Sequence, residues 1–228
     1  RTRSTTEALV DIEVESTGTT SDYTYTTAPD LHTEGYFLGV GGDTNYGNAV
    51  YKLTWSNQYT GTVSSTLSLS FSSNCGISGN VYTYTLGGYS SGGNAVAERG
   101  THSNENISAN TSELPTHMAD QGGYTDPKNY GYTTGGQDGP GTTVHQTDFS
   151  NDNIAANDSA LPTGRNNTSG VGDASTEGWT CGGTGSSAVD KMTFSSTDIA
   201  ANTSTLTVVR TSPTPASDSG TSGYGYIC

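Results

Sequence analysis

The sequence predicts an all-β chain folded as a five-bladed β-propeller, from three observations: a repeat, its strand pattern and the two ends of the chain. The repeat is marked by an aromatic residue that opens a short, mostly glycine-rich phrase, at spacings of 48, 48, 47 and 47 residues. A fixed period of this length is typical of arrays in which each unit buries its apolar face against its neighbours. The five aromatic residues are Tyr36, Tyr84, Tyr132, Trp179 and Tyr226.

The pattern inside each repeat predicts four short strands separated by Gly, Ser, Asn and Asp clusters, which are typical of tight turns. The first strand contains the aromatic residue. The second shows two-residue alternation, as in residues 189–194 (VDKMTF), and the third contains an isoleucine seven residues before a leucine. A fourth, less regular stretch follows each leucine. No window has helical periodicity with caps, so we expect no helices. We expect the five aromatic residues to be buried between blades, on the innermost strands.

The two ends of the chain complement each other. The last aromatic phrase stops at Cys228 after one strand, and residues 8–16 align with residues 187–195, the second strand of the fourth repeat. We therefore predict that the C-terminal strand pairs with the strand around Leu9 to Val14 and closes a ring. The predicted blades of this single domain (1–228) are 34–81, 82–129, 130–176, 177–223, and 224–228 plus 8–33. An open array, or four blades with an N-terminal arm, is the alternative.

Composition narrows the function classes. The 30% of hydrophobic residues and the 31 glycines allow only a thin core, which a radial array of small sheets tolerates. The net charge of −14 disfavours binding to nucleic acid or to anionic lipid. No run of about 18 apolar residues occurs, so we expect no membrane insertion. With only eight Lys and Arg residues and three cysteines, the composition favours an extracellular location over the cytosol.

Paired glycines close a first strand after an aromatic residue, and another aromatic residue lies near the end of the second strand. This pattern resembles kelch-type propeller repeats. The phrases at 131–136 (GYTTGG), 189–195 (VDKMTFS) and 200–206 (AANTSTL) are similar to repeats in bacteriophage virion proteins of the tail-fibre or appendage type. The resemblance covers residues 35–228 and, less closely, 8–34. The downstream tryptophan of eukaryotic kelch repeats is present once, as Trp55. The resemblance implies a propeller fold and a virion-associated role among other virion or filament subunits.

Residues with catalytic potential are dispersed along the chain. The four histidines form no metal-binding or catalytic pair in sequence, and the three cysteines lack CxxC spacing. We expect Cys181 and Cys228 to be small core residues. The sequence therefore predicts no catalytic centre and no cofactor, apart from the calcium site considered below. A propeller glycosidase is the least favoured alternative.

Acidic residues lie in the loops that lead into the first strands, on one expected face of a propeller. We interpret them as a solvated acidic face, with a calcium site or sugar-binding carboxylates as the alternatives. They are Asp30, Glu34, Asp126, Asp173, Glu177 and Asp218.

Polar and tyrosine-bearing loops follow the first strands. Aromatic faces and amides suit sugars, so we expect host-surface glycans to bind these loops, although the tyrosines also suit packing on blade edges. The candidate ligand-binding residues are Asp43, Asn45, Tyr46, Tyr89, Gln137 and Asp138. The predicted function is a non-enzymatic, virion-associated or extracellular structural and adhesion protein that displays a polar surface. The alternatives are a subunit of an extracellular filament, forming a homo-oligomer, and a free lectin-like protein.

Six asparagines lie in Asn-x-Ser/Thr sequences, a number that this Ser- and Thr-rich composition gives by chance. Three of them, Asn110, Asn157 and Asn202, occupy equivalent places in the repeat. We attribute that spacing to the fold and do not predict glycosylation from it.

Overall fold

The structure is a computed structural model of the 228-residue chain. It describes residues 34–40 as backbone, and residues 48–54, 57–70, 72–89, 94–126, 129–137, 141–173, 176–217 and 225–227 with their side chains. In these ranges every regular element is a β-strand, which confirms the all-β prediction. No helix in the described ranges is long and apolar enough to cross a membrane.

The strands form five antiparallel sheets in chain order. The first sheet has three strands: β1 (Glu34–Val40), β2 (Ala49–Thr54) and β3 (Tyr59–Thr62). The second has β4 (Cys75–Ser78), β5 (Tyr82–Leu86), β6 (Ala97–Thr101) and β7 (Ile107–Ala109). The third has β8 (Gly122–Thr125), β9 (Tyr130–Thr134), β10 (Val144–Asp148) and β11 (Asn153–Ala156). The fourth has β12 (Ser169–Gly172), β13 (Glu177–Cys181), β14 (Val189–Thr193) and β15 (Asp198–Ala201), and the fifth has β16 (Pro215–Ser217) and β17 (Gly225–Ile227).

Each four-stranded sheet begins one strand earlier than the predicted repeat boundary. Strand β4, expected at the end of the first repeat, pairs with β5 and places Ile77 opposite Tyr84. The aromatic residues therefore stand on the second strand of their sheets. Neighbouring sheets approach most closely along the preceding strands, β4, β8, β12 and β16, so the expectation that the aromatic strands are innermost is wrong.

Glycine explains why the first strands of neighbouring sheets come so close. A Cβ atom built on Gly170 of β12 would lie 2.3 Å from the carbonyl oxygen of Gly123 in β8. Only a residue without a side chain permits that approach of two backbones.

The paired glycines after each aromatic strand have a different role. Gly87 and Gly88 have φ values of 61° and 112°, which glycine adopts without strain. In this conformation the Gly88 amide donates a hydrogen bond to the Met118 carbonyl at 2.8 Å. The equivalent amides of Gly136 and Gly183 donate to the carbonyls of Arg165 and Arg210 in the same way.

Aromatic side chains form the core between sheets. Tyr84 and Tyr132 are completely buried, and each ring stacks on a phenylalanine of the following sheet, with centroids 5.5 Å apart for Phe149 and 5.7 Å for Phe194. The packing role is thus confirmed for these two tyrosines. Trp179 is only half-buried, and Tyr226 is 58% exposed. The side chain of Tyr36 lies outside the described residues.

A repeated polar contact joins the sheets at their outer strands. Ser112 Oγ accepts a hydrogen bond from the Ile154 amide at 2.9 Å, and Ser65 and Ser159 accept equivalent bonds from Ile107 and Ile199. The Asn110 side chain donates to the Asp152 carbonyl at 2.8 Å, and Asn157 donates to Thr197 at 3.2 Å. The repeat-equivalent Asn-x-Ser phrases at 110–112 and 157–159 therefore hold neighbouring sheets together.

A second repeated contact buries a polar side chain on the third strand of each four-stranded sheet. Glu98, His145 and Asp190 occupy equivalent positions, and each is almost fully buried. Each meets a residue that follows the last strand of the preceding sheet. The contacts are Glu98 Oε1 with the Ser68 amide (2.7 Å), His145 Nε2 with Thr116 Oγ1 (3.2 Å), and Asp190 Oδ2 with the Arg165 guanidinium (2.5 Å).

The far side of the fourth sheet differs from the earlier junctions. The leucines that follow the first three sheets are buried, whereas Leu206 is partly exposed, and the exposed fractions of Val208 and Val209 are 50% and 56%. In the described part of the chain, β17 pairs only with β16, and the five sheets do not close into a ring. The predicted partner, the strand around Leu9 to Val14, lies outside the described residues.

Candidate functional site

The predicted ligand-binding residues are only partly described. Asp43, Asn45, Tyr46 and Asp138 lie outside the described residues. Tyr89 and Gln137 follow the aromatic strands, and both are half-buried. The Tyr89 amide donates to Ser72 O at 2.7 Å, and the Gln137 amide donates to Ala119 O at the same distance. Their main-chain groups thus join adjoining parts of the chain, and neither residue lines the cleft described below.

Two of the predicted metal-binding acids, Asp173 and Glu177, have structural roles. Asp30 and Asp218 lie outside the described residues, Glu34 is described only as backbone of β1, and Asp126 lies in the turn after β8. Asp173 Oδ1 accepts hydrogen bonds from the amides of Thr176 (2.7 Å) and Glu177 (3.0 Å), which shapes the turn between β12 and β13. Glu177 Oε1 accepts from Lys191 Nζ at 2.7 Å. The described residues contain no cluster of three acidic, histidine or cysteine side chains placed to hold a metal ion.

The described cysteines are structural as well. Cys75 and Cys181 are buried free thiols, as expected for Cys181, while Cys228 lies outside the described residues. Burial raises the pKa of Cys75 to about 12 and that of Cys181 to about 11. Both thiols therefore stay protonated near neutral pH and lack nucleophilic character.

An open cleft lies between the second and third sheets, at the end where β4 turns into β5. We call it the Tyr82 cleft. It is open to solvent, and its volume is about 190 Å³. The second sheet contributes the turn at 79–81 together with Tyr82 and Tyr84, and the third contributes Asn129, Phe149 and Ser150.

The aromatic base of the Tyr82 cleft is held rigidly. Tyr82 meets Tyr84 edge to face, with centroids 6.2 Å apart, and the Arg99 guanidinium lies 4.4 Å from the centre of the Tyr82 ring. Arg99 forms an ion pair with Asp152, whose Oδ1 accepts a hydrogen bond from the Tyr84 hydroxyl at 2.6 Å. Burial, with the Asp152 carboxylate, raises the pKa of Tyr84 well above its ordinary value, so the phenol remains a donor.

The rim of the cleft is polar. Asn80 and Asn129 are exposed, one on each side, and neither side-chain amide has a hydrogen-bond partner among the described residues. Their carbonyls are engaged, because the Asn129 oxygen accepts from the Phe149 amide at 2.9 Å and the Asn80 oxygen lies 3.3 Å from His102 Nδ1. An aromatic base with free amides at its rim suits a neutral ligand that has one apolar face.

This cleft was not predicted from the sequence, because it lies at the opposite end of the aromatic strands from the predicted ligand loops. One signal was available in the repeat. Ile77 of the second sheet occupies the position that Tyr124 has in the third sheet. The Tyr124 ring packs against Tyr132 and Phe194, with ring centroids 5.7 and 6.2 Å apart. The junction between the second and third sheets therefore has one aromatic ring fewer than the next.

Comparisons with known proteins inform the fold. No protein-family model matches the sequence, and no curated protein matches it. Among solved structures, one titled "Structure of YjhT" is similar, with a TM-score of 0.61 and 13% sequence identity over 75% of this chain and 63% of that one. This chain thus spans less than two-thirds of that protein. Similarity at this identity supports the fold alone, and together with the antiparallel four-stranded sheets it defines a β-propeller-like, all-β protein.

Proposed function

We propose that this chain is a non-enzymatic structural and adhesion protein of an extracellular or virion assembly, of the tail-fibre or appendage type. Its partners are other subunits of that assembly and glycans on a host surface, and its net charge of −14 disfavours nucleic acid and anionic lipid as partners. The observation that bears most directly on the architecture of this protein is a set of exposed or partly exposed apolar side chains near the end of the sheet array: Leu206, Val208, Val209 and Tyr226.

This end surface is unlike the other sheet junctions. At the earlier junctions the following sheet covers the equivalent leucines, and the aromatic rings of Tyr84 and Tyr132 are fully buried. Exposed apolar groups at the end of a sheet array offer a surface that a further protein segment can cover. Strand β17 also offers a sheet edge that pairing would protect.

The segment proposed to cover this surface is the N-terminal strand of a fifth blade. If the alignment of residues 8–16 with 187–195 is extended, Gly18 falls at the place of Thr197. Thr197 has a positive φ of 57°, as do the equivalent Glu105 and Asp152 at 56° and 62°. Glycine is the residue that best tolerates this conformation. The alignment thus supports a five-bladed ring in which Tyr226 pairs with Ile12, as Trp179 pairs with Lys191 in the fourth sheet.

Cross-linking tests this closure. In a Cys228→Ser background, Ile12→Cys and Tyr226→Cys are introduced together, and the oxidised product is analysed by native mass spectrometry. Oxidation of mixed isotope-labelled and unlabelled chains separates bonds within one chain from bonds between copies. Ser16→Cys with Tyr226→Cys is the out-of-register control. We expect a bond within one chain at monomer mass for the Ile12 pair only.

The other outcomes decide between the alternatives. Bonds between copies, at multiples of the monomer mass, would replace the closed ring by a homo-oligomeric filament subunit. If neither pair forms a bond, the ring closure is wrong. A free lectin-like protein is the second candidate function, and the Tyr82 cleft is the observation that favours it.

A further inference from the structure

We infer that the Tyr82 cleft is a saccharide-binding site, in which a neutral pyranose ring lies on the aromatic base and its polar groups bond to Asn80 and Asn129. This inference rests on the proposed adhesion function and gives that function a site and a ligand class. The predicted ligand loops that follow the aromatic strands lie at the other end of these strands and form no part of the site.

The base of the cleft matches the apolar face of a sugar. A pyranose presents C–H groups on its face and hydroxyl groups around its edge, so an aromatic base with a polar rim complements it. The Tyr82 ring is only partly buried, and Arg99 already holds it from one side. Because Tyr84 and Phe149 stack beneath the cleft, ligand binding would immobilise few additional side-chain torsions.

The rim supplies the hydrogen bonds. Each asparagine amide has two donor hydrogens and a carbonyl acceptor, a combination that bonds well to neighbouring hydroxyls or to an N-acetyl group. Asn80 comes from the second sheet and Asn129 from the third, so the two amides approach a ligand from opposite sides. Neither has to break a hydrogen bond within the described chain before it binds a sugar.

Among the described residues, the charges around the cleft favour a neutral sugar over an acidic one. Arg99, the cation in contact with the aromatic base, already forms an ion pair with Asp152. The whole chain has a net charge of −14, which repels an anionic glycan. The site also differs from the next junction, where Tyr124 adds a third ring to the stack of Tyr132 and Phe194.

Calorimetric titration of the full chain tests the inference, with cellotriose and chitotriose as neutral probes and trigalacturonate as an acidic probe. We expect a neutral trisaccharide to bind and trigalacturonate not to bind. Tyr82→Ala should weaken binding at least tenfold. Because Tyr82 also packs on the core, the exposed double variant Asn80→Ala/Asn129→Ala is the second test. It should retain the far-UV spectrum of the parent and weaken binding by a similar factor.

Two tyrosine variants serve as matched controls. Tyr130 is the repeat equivalent of Tyr82 in the third sheet, and Tyr89 is a predicted ligand residue at the opposite strand end. Alanine at either position should leave the affinity within about twofold of the parent.

Three outcomes would contradict the inference. If both cleft variants retain binding and Tyr89→Ala loses it, this site is wrong but the adhesion function stands. Binding of trigalacturonate alone would overturn the neutral ligand class. Absence of binding to all three probes would also overturn the inference, while the cross-linking result on assembly stands independently.

Discussion

The buried ion pair between Arg165 and Asp190 allows a sharp test of how the sheets are joined. Both side chains are 3% exposed, and the pair connects the loop after the third sheet to β14 of the fourth. We predict that Arg165→Met lowers the free energy of unfolding by about 3–5 kcal/mol at pH 7, because it leaves an unpaired buried carboxylate. Methionine is a fitting replacement, since Met118 occupies the equivalent position and is buried.

The expected coupling follows from the electrostatics of the pair. Burial raises the pKa of Asp190 by more than the Arg165 guanidinium lowers it, so desolvation exceeds the benefit of pairing. Asp190→Val alone should cost at least as much as Arg165→Met, because the guanidinium cannot lose its proton. The double variant replaces both charges by apolar groups and should lie within about 2 kcal/mol of the parent.

Urea unfolding at 25 °C, followed by circular dichroism, measures all four members of this cycle. Arg210→Met is the matched control, because Arg210 is the exposed equivalent of Arg165, and it should change the free energy of unfolding by less than about 0.5 kcal/mol. Strict additivity of the two single variants would refute the buried pair. An Arg165→Met cost as small as that of Arg210→Met would refute it as well.

The remaining predictions concern pH and aromatic packing. Burial lowers the pKa of His145 from 6.5 to about 4, so the unfolded chain binds more protons between these values. The neutral imidazole therefore contributes about 3 kcal/mol to the free energy of unfolding above pH 6.5, and this contribution is lost as the pH falls towards 4. In urea unfolding, His145→Gln should lack this part of the pH dependence. Tyr132→Ala should lower the free energy of unfolding by about 3–5 kcal/mol, because its ring is fully buried against Phe194; thermal and urea unfolding measure this.

Each of these predictions has a control in the chain. His117 is exposed, so His117→Gln should keep the parent pH profile, and an unchanged profile in His145→Gln would contradict the buried neutral imidazole. Trp179 occupies the position equivalent to Tyr132 but is only half-buried. If Trp179→Ala costs more than Tyr132→Ala, burial between the sheets does not determine the stabilisation.

The strands could be predicted from the sequence because the repeat aligns their aromatic, valine and isoleucine positions. The grouping of strands into sheets could not, because a periodic sequence has no intrinsic starting point. Hydrogen bonding places β8 in the same sheet as β9, and β12 in the same sheet as β13, so each belongs to the sheet of the next aromatic strand. The small residues of these strands were the signal, since Gly123 and Gly170 mark where neighbouring backbones must approach.

The Tyr82 cleft was harder to predict because it depends on differences between repeats. Tyr82 and Phe149 come from different repeats and meet only at a sheet junction. The predicted acids illustrate the same limit. Asp173 and Glu177 looked available in sequence, but the structure uses one to shape a turn and the other to pair with Lys191.

Polar contacts between sheets change in matched pairs along the array, and this bears on the proposed closure. Lys52 pairs with Glu105 of the next sheet and Arg99 pairs with Asp152, whereas at the third junction Gln146 and Thr197 replace both charges. Such matching is expected, because a partly buried charge gains from a partner of opposite sign in the adjoining repeat. At the fourth sheet the equivalent cation, Lys191, bonds instead to Glu177 within its own sheet.

The proposed fifth blade matches this change. In the alignment, Gly18 takes the position that Glu105 and Asp152 have in earlier sheets, so this blade would offer no carboxylate there. The ion pair of Lys191 within its own sheet therefore agrees with the proposed closure by residues 8–33.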